Sequence, residues 1–192
     1  MKKLIFILLL GFQFMNAQDT IPKSKLLHRK NEVRVDVLSM LAFSKLNITY
    51  ERFLNNSFSV GVTGHSANSS KVNDDFDSGN RNTIPTYEVI PFVRYNLSKG
   101  IRSFYFAEVF VDANGGDFRE TVRQTDGNGN GYYAIQKTKY SDVGVGAGLG
   151  YKLYIKDRIG IELEVGFGTN LIDKDKSPDY LSRVGLSVGY RF

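Results

Sequence analysis

The end of the chain alternates strictly between apolar side chains and small or charged ones. In residues 183–192, every second residue from Val184 to Phe192 is apolar, and the residues between them are glycine, serine or arginine. A period of two is typical of a β-strand with one apolar and one polar face. A strand whose polar face carries arginines suits a transmembrane barrel, where hydrocarbon surrounds a polar lumen. This pattern constrains the fold of the chain more than any other feature.

The same alternation recurs along the chain and predicts further strands. We expect them at residues 32–43, 46–53, 58–65, 86–97, 103–113, 140–155 and 159–167. Most connections alternate between short turns and long polar loops, of which the long ones are residues 66–85, 114–139 and 169–179. Barrels of the outer membrane have short periplasmic turns and long extracellular loops. The sequence therefore predicts an all-β fold, an eight-stranded antiparallel up-and-down transmembrane β-barrel over residues 32–192.

The last strand also resembles a known signal. Leu186, Val188, Tyr190 and the terminal Phe192 are similar to the C-terminal assembly signal of bacterial outer-membrane β-barrels. In that family the barrel-assembly machinery reads the last strand, so the resemblance implies the same role for these residues. It also implies an OmpA/OmpX-like barrel in the outer membrane of a Gram-negative cell, in contact with lipids and lipopolysaccharide.

The N-terminus has the features of a secretory signal peptide. Lys2 and Lys3 precede an apolar run at residues 4–14, and Ala17 is a small residue suited to cleavage. The run is shorter than the roughly 20 residues that a membrane-spanning helix needs. We expect residues 1–17 to be a signal peptide and residues 18–31 to form a flexible periplasmic tail before the barrel.

Composition argues against several functions. The 192 residues include no cysteine, which removes disulfides, thiol catalysis and cysteine metal sites. Without Lys2 and Lys3, the basic residues nearly balance the 20 acidic ones, so a basic nucleic-acid surface is not expected. We expect no cofactor, no metal site and no catalytic residues.

Charged residues fall on the inward parity of the predicted strands. We expect them to form a lumen network of Glu51, Glu88, Arg94, Glu108, Glu162, Glu164, Arg183 and Arg191. Arg34, Asp36 and Lys152 share this parity. Two interpretations stay open, a paired network that plugs the lumen and a path for protons or ions. The plug is favoured, because an eight-stranded barrel has room only for its own side chains and buried charges need partners.

Two local features are predicted within the strands. Pro91 cannot donate to a strand ladder, so we expect a bulge or break there. The inward residues of the predicted strand 140–155 include Gly144, Gly146, Gly148 and Gly150. We expect bulky inward side chains of the neighbouring strands to fill the space above these glycines.

The sequence favours a non-enzymatic barrel that serves envelope integrity or surface interaction, and alternatives stay open. His65 and Ser66 suggest a rim enzyme that modifies lipid A or peptides, but neighbouring strand residues point to opposite faces. Residues 126–131 resemble half of a calcium loop, although Lys137 occupies the position of the required glutamate. A soluble periplasmic barrel that binds an apolar ligand is the third alternative.

Overall fold

The computed structural model describes residues 25–43, 45–67 and 70–192. The described helices are α1 (Lys25–His28), α2 (Val37–Phe43) and α3 (Ser70–Ser78). The described strands are β1 (Asn31–Asp36), β2 (Lys45–Phe53), β3 (Phe58–Ala67), β4 (Thr83–Asn96), β5 (Ser103–Thr125), β6 (Gly131–Ile155), β7 (Ile159–Asn170) and β8 (Tyr180–Arg191). The predicted signal peptide, residues 1–17, lies outside the described residues. Within them, no helix has the length and apolar character needed to cross a membrane.

The strands close into a barrel. Each strand pairs antiparallel with its neighbours in sequence, and β8 pairs with β1 to complete the order β1-β2-β3-β4-β5-β6-β7-β8. At the closing point, Val33 of β1 lies opposite Tyr50 of β2 and Tyr190 of β8. The predicted eight-stranded antiparallel up-and-down barrel is therefore confirmed.

Side chains divide between the two faces of the wall by parity. Leu163 and Val188 on the outer face are 56% and 43% exposed, whereas Glu162 and Arg94 on the inner face are 2% and 1% exposed. An apolar outer surface around a charged interior reverses the distribution found in soluble proteins. The fold is thus of the transmembrane type, and it is the opposite of a soluble barrel built around an apolar ligand.

The first strand is shorter than the alternation predicts. β1 ends at Asp36, and the following residues form α2 where the prediction continued the strand to residue 43. Asp36 caps the helix, since its Oδ1 accepts the backbone N–H of Ser39 at 3.2 Å and its Oδ2 accepts the Ser39 hydroxyl at 2.5 Å. The alternation also weakens here, because Leu38 and Met40 occupy the inward parity.

The longest predicted loop is instead a hairpin that projects beyond the rest of the barrel. β5 and β6 remain paired from Ser103↔Leu153 to Thr125↔Gly131, so only residues 126–130 connect them. The prediction of a loop over residues 114–139 is therefore wrong, because residues 114–125 and 131–139 continue the two paired strands. The tip is rich in Gly and Asn, which is typical of a turn. This composition led to the interpretation of the paired residues on either side of the tip as part of the same loop.

Two smaller expectations concern β4 and the loop before it. The β4–β5 ladder has no residue pairs at Ile90 and Pro91, in agreement with the local break expected there, although Pro91 stays aligned with Val62 of β3. A register shift that was not expected lies between Pro85 and Tyr87. The predicted loop at residues 66–85 contains α3, and β4 begins within it at Thr83.

The described part of the predicted flexible tail is packed against the barrel. Leu26 of α1 is fully buried at the end of the barrel that carries the short turns, where it contacts the aromatic cluster Phe53, Phe104, Phe106 and Tyr154. The chain then joins the wall, because the N–H of Phe53 donates to the carbonyl of Lys30 at 2.8 Å. Burial of this apolar side chain explains why residues 25–30 differ from a free tail.

Candidate functional site

The interior of the barrel holds a dense cluster of charged side chains. Its members are inward-facing residues of β1, β2, β4, β5, β6, β7 and β8. This lumen ion cluster consists of Glu32, Arg34, Glu51, Arg94, Glu108, Lys152, Glu162, Glu164 and Arg183. All but Glu164 and Arg183 are nearly inaccessible to solvent.

Arg94 is the centre of the cluster. Its Nε donates to Glu108 Oε2 at 2.5 Å, its Nη2 to Glu164 Oε2 at 2.6 Å and its Nη1 to Glu162 Oε2 at 2.8 Å. Nη1 also lies 3.2 Å from Glu51 Oε2. Carboxylates from β2, β5 and β7 therefore converge on one guanidinium, whose planar fork suits several simultaneous bonds.

Aromatic rings enclose the same guanidinium. The ring centroids of Phe92 and Phe106 lie 4.5 Å and 4.2 Å from Arg94 Cζ. Arg183 lies 4.9 Å from the centroid of Phe110 in the same way and pairs with Glu108. Cation–π contacts of this kind favour a desolvated cation and exclude water from the ion pairs.

Lys152 forms a second centre toward the short-turn end. Its Nζ lies 2.8 Å from Glu32 Oε1, 2.7 Å from Glu51 Oε2 and 2.8 Å from Glu162 Oε2. These three carboxylates are close enough together to hold a metal ion. The ammonium of Lys152 occupies the position between them, and Arg34 contacts Glu51 and Glu162 from another side. The cluster supplies its own counter-charges, so it does not need a metal ion.

The predicted lumen residues separate into one group and two outliers. Glu51, Arg94, Glu108, Glu162, Glu164 and Arg183 come together in the cluster. Glu88 lies nearer the long loops, where its Oε2 is 2.8 Å from His65 Nδ1. Arg191 lies at the short-turn end, where it stacks 3.5 Å from the centroid of Phe53 and donates to the carbonyl of Arg29.

The prediction missed Glu32 as a member of the cluster. Glu32 bonds with Lys152 and accepts the hydroxyl of Tyr154 at 2.5 Å. Glu32 has the same inward parity in β1 as Arg34, so the alternation of the sequence was sufficient to predict that Glu32 faces the lumen. Its position at the predicted start of the strand obscured it.

The glycines of β6 make room for the rings that cover the ions. A Cβ at Gly146 would overlap the ring of Phe110, and one at Gly150 would overlap the ring of Phe106. At Gly144 the nearest group would be the side chain of Leu181. The rings of Phe106 and Phe110 on the neighbouring strand β5 thus occupy the space that Gly150 and Gly146 leave, whereas Leu181 reaches Gly144 from β8, which does not pair with β6.

The two chemical motifs suspected in the sequence have structural explanations. His65 is buried on the inner face, whereas Ser66 is exposed on the outer face, so the two do not form a base–nucleophile pair. Asp126 Oδ1 accepts the N–H groups of Asn128 and Asn130 at 2.9 and 2.8 Å. These bonds, with that of Asn130 first, lower the pKa of the Asp126 carboxyl and close the hairpin tip as a turn.

The predicted assembly residues lie on the outer face of β8. Val188, Tyr190 and Phe192 are exposed, and the rings of Tyr190 and Phe192 stack 6.4 Å apart. The backbone of Phe192 exchanges hydrogen bonds with Asn31 at 2.8 and 3.0 Å. The terminal residue therefore takes part in closing the barrel at the β1–β8 junction.

Solved structures that resemble the chain are small outer-membrane barrels. The N-terminal β-barrel domain of Pseudomonas aeruginosa OprF has 10% identity and a TM-score of 0.49, with 85% of this chain and 98% of that chain covered. Neisserial surface protein A has 11% identity and a TM-score of 0.47, with 85% and 95% covered. The Yersinia pestis attachment invasion locus protein Ail has 11% identity and a TM-score of 0.45, with 85% and 99% covered.

The assignment of the fold rests on this chain's own strand pairing, because the identities and TM-scores of these structures are low. No curated protein sequence matches the chain. A family model does match, and it covers residues 3–185. The chain therefore belongs to the DUF3575 family, which is described as a protein of unknown function.

Proposed function

We propose that this protein is a non-enzymatic integral protein of the outer membrane, with a lumen plugged by its own side chains. The lumen ion cluster is the observation that carries the proposal. Its four cations, Arg34, Arg94, Lys152 and Arg183, each contact at least two of its carboxylates. Paired and buried charges favour a plug over an ion path, since a mobile ion would have to displace bonds that have no solvent to replace them.

The same proposal assigns the two ends of the barrel. The short turns and both ends of the barrel domain lie together, an arrangement that places them in the periplasm of an outer-membrane barrel. The β5–β6 hairpin and α3 then face the outside, in contact with lipopolysaccharide around the rim. The predicted signal peptide and the apolar outer face of β8 support export and insertion by the assembly machinery.

Extracellular contact is the most specific role that the loops support. Tyr133 and Ile135 on the projecting hairpin are 75% and 58% exposed, well away from the lipid-facing band. Tyrosine is among the residues that most often anchor protein contacts, and Tyr133 presents its ring on a projecting ribbon. We therefore propose surface interaction through the hairpin, alongside a general contribution to envelope integrity.

Conductance measurements test the plug. The protein refolded into a planar bilayer should give no stable conductance steps. The double variant Arg94→Ala, Glu108→Ala removes a paired arginine and carboxylate and should admit small ions. Stable steps from the wild-type protein would contradict the proposal, whatever the variant does.

Shortening the hairpin separates the two roles. A variant lacking residues 119–135, rejoined by a short turn, keeps every strand pair within the barrel wall. If the role is surface contact, this variant should lose adhesion or partner crosslinking in intact cells while the cells keep normal detergent resistance. Loss of detergent resistance together with unchanged crosslinking would assign the role to the envelope instead.

A further inference from the structure

The half of the lumen nearest the long loops contains a second group of polar side chains, separate from the lumen ion cluster. His65 of β3 lies opposite Asn47 of β2 on one side and Glu88 of β4 on the other. Glu88 in turn lies opposite Asn114 of β5. Asp112 is two residues from Asn114 on β5 and therefore points to the same inner face. We define the outer polar row as these five residues, which come from four adjacent strands.

Several acceptor atoms of this row are buried without a partner. Asp112 and Asn114 are 2% and 1% exposed, yet the Oδ1 atom of each has no hydrogen-bond partner within the described part of the chain. The same holds for Oδ1 of Asn47 and for Nε2 of His65. Buried polar groups in proteins are nearly always bonded, because an unpartnered one is unfavourable. Their convergence from neighbouring strands therefore indicates a place for a group that donates hydrogen bonds or carries positive charge.

His65 is oriented for such a role by Glu88. Its Nδ1 lies 2.8 Å from Glu88 Oε2. A carboxylate partner keeps the ring proton on Nδ1, so the neutral ring has a free electron pair at Nε2. Metal-binding histidines commonly have this arrangement, with one nitrogen on the metal and the other bonded to a carboxylate. Glu88 is thus a positioning residue, and Nε2 is the ligating atom that it leaves available.

Asp112 favours a cation over a water molecule as the partner of this row. It forms no ion pair with the described residues, whereas every carboxylate of the lumen ion cluster is paired. Glu88, which carries the same charge, lies close enough to repel it. The nearby Arg183 already bonds Glu108 and Glu164. A buried carboxylate in this position requires an additional positive charge.

We propose that the outer polar row binds one divalent metal ion of the zinc or manganese type. His65 Nε2, Asp112 Oδ1 and Asn114 Oδ1 are its ligands, and water completes the coordination. An imidazole nitrogen combined with carboxylate and amide oxygens suits these metals better than Cu(I), which prefers sulfur, or Ca²⁺, which prefers oxygen alone. The three carboxylates around Lys152 differ from this site, because an ammonium already lies between them.

The metal ion reaches this site from the end with the long loops. The side chain of Glu88 is 17% exposed, so the row borders solvent on that side. On the other side lie Arg183 and Arg94, whose ion pairs fill the lumen. A bound ion therefore links β3 to β5 without opening the plug.

Calorimetric titration of the full chain, refolded in detergent micelles and treated with a chelator, tests the site. ZnCl₂ and MnCl₂ should each give a saturable signal for one ion per chain, and CaCl₂ should bind roughly tenfold more weakly or less. Asp112→Asn removes the charged ligand and should weaken Zn²⁺ binding by roughly tenfold or more. Asp117→Asn is the matched control, because Asp117 has outward parity on the same strand, opposite Lys139. The control should leave the affinity unchanged.

The two histidines of the chain provide a second comparison. His65→Gln should weaken Zn²⁺ binding as strongly as Asp112→Asn, whereas His28→Gln should not. Glu88→Gln should weaken it about 10–100-fold, although Glu88 is not a ligand. Glu88→Asp keeps a carboxylate and should recover most of that loss. Recovery by a carboxylate separates positioning of His65 from a general effect on packing.

Two outcomes would overturn the site, and heat-modifiable migration restricts both comparisons to folded barrels. The first is the absence of saturable binding. An infrared band of a protonated carboxyl that disappears in Asp112→Asn would then show how the buried charge is avoided. The second is binding that survives both Asp112→Asn and His65→Gln, which would identify an adventitious ion only.

Discussion

Single residues in the lumen depend on one another because their charges are buried together. Arg94 bonds four carboxylates within the described interior, and each of them also pairs with either Arg34 or Arg183. A buried ion pair adds little net stability compared with apolar residues of the same shape. Loss of one partner is different, because the buried carboxylates then have too few cations to compensate their desolvation. The stability of the barrel is therefore most sensitive to its shared cations.

Replacing Arg94 should show this sensitivity. Arg94→Ala should lower the free energy of unfolding by about 3–5 kcal/mol, because Glu108, Glu162 and Glu164 lose their common partner. Urea unfolding of the refolded protein in lipid vesicles measures the change. Arg102→Ala is the matched control, since Arg102 forms an ion pair with Asp157 but its side chain is 71% exposed. The control should change the free energy by about 0–1 kcal/mol, and an equal effect at both sites would refute the interpretation.

Glycine at position 150 is required by the ring beside it. The Cβ of a valine at this position would overlap the ring of Phe106, and it would lie 2.6 Å from the carbonyl oxygen of Leu163. We expect Gly150→Val to cost about 1–3 kcal/mol or more in unfolding free energy, as in other overpacked cores. Gly64→Ala is the control, because nothing lies within 4 Å of a Cβ at that outward position. Equal urea midpoints for the two variants would contradict the filled lumen.

At the scale of elements, the projecting hairpin is held by contacts that the barrel wall does not provide. The ring of Phe76 from α3 lies between Arg119 and Lys137, with centroid distances of 6.0 and 5.3 Å. Arg119 also donates to the carbonyl of Asp77 at 2.8 Å, and Lys137 pairs with its carboxylate at 2.7 Å. A helix from one loop thus supports a ribbon from another.

Acid should loosen this assembly. The hydrogen bond and charge of Lys137 lower the pKa of Asp77, and the bonds from the turn lower the pKa of Asp126. A carboxyl whose pKa is lowered by folding stabilises the fold above its unfolded pKa, near 3.8, and loses that effect as the pH falls through the folded value. The protection factors of the Asn128 and Asn130 amides, which compare the observed exchange with the intrinsic rate at each pH, should therefore fall below about pH 4. In Asp126→Asn the acid response at these amides should disappear, and its persistence would contradict this assignment.

For the whole molecule, closure of the barrel joins the two ends of the described domain. Asn31 and Phe192 exchange backbone hydrogen bonds, and Leu26 covers the short-turn end from inside. The junction between β1 and β8 joins the strands that are farthest apart in the sequence and includes few residue pairs. Pairing so distant in sequence carries a large loop-closure cost, so assembly benefits from assistance at this junction.

Removal of Phe192 tests the predicted assembly signal. Deleting it should reduce folded barrel in the outer-membrane fraction severalfold and increase degraded or periplasmic protein, as judged by heat-modifiable migration and immunoblotting. Phe167→Ala is the control, because Phe167 is an outward aromatic with 68% exposure on a different strand. Comparable losses from both changes would attribute the defect to lost apolar surface, and normal levels of the deletion variant would remove the signal.

The sequence by itself determined which side chains face lipid and which face the lumen, because parity is a local property of an extended chain. It therefore predicted the closed eight-stranded barrel, the inward charges and the space above the β6 glycines. Only the tertiary structure decided that Glu88 and Arg191 lie apart from the cluster and that Lys152 lies between three carboxylates. Those partners depend on the register between strands far apart in sequence, which alternation along one strand does not specify. The helix at residues 37–43 and the long β5–β6 hairpin were decided in the same way, by a cap at Asp36 and by pairing across a turn.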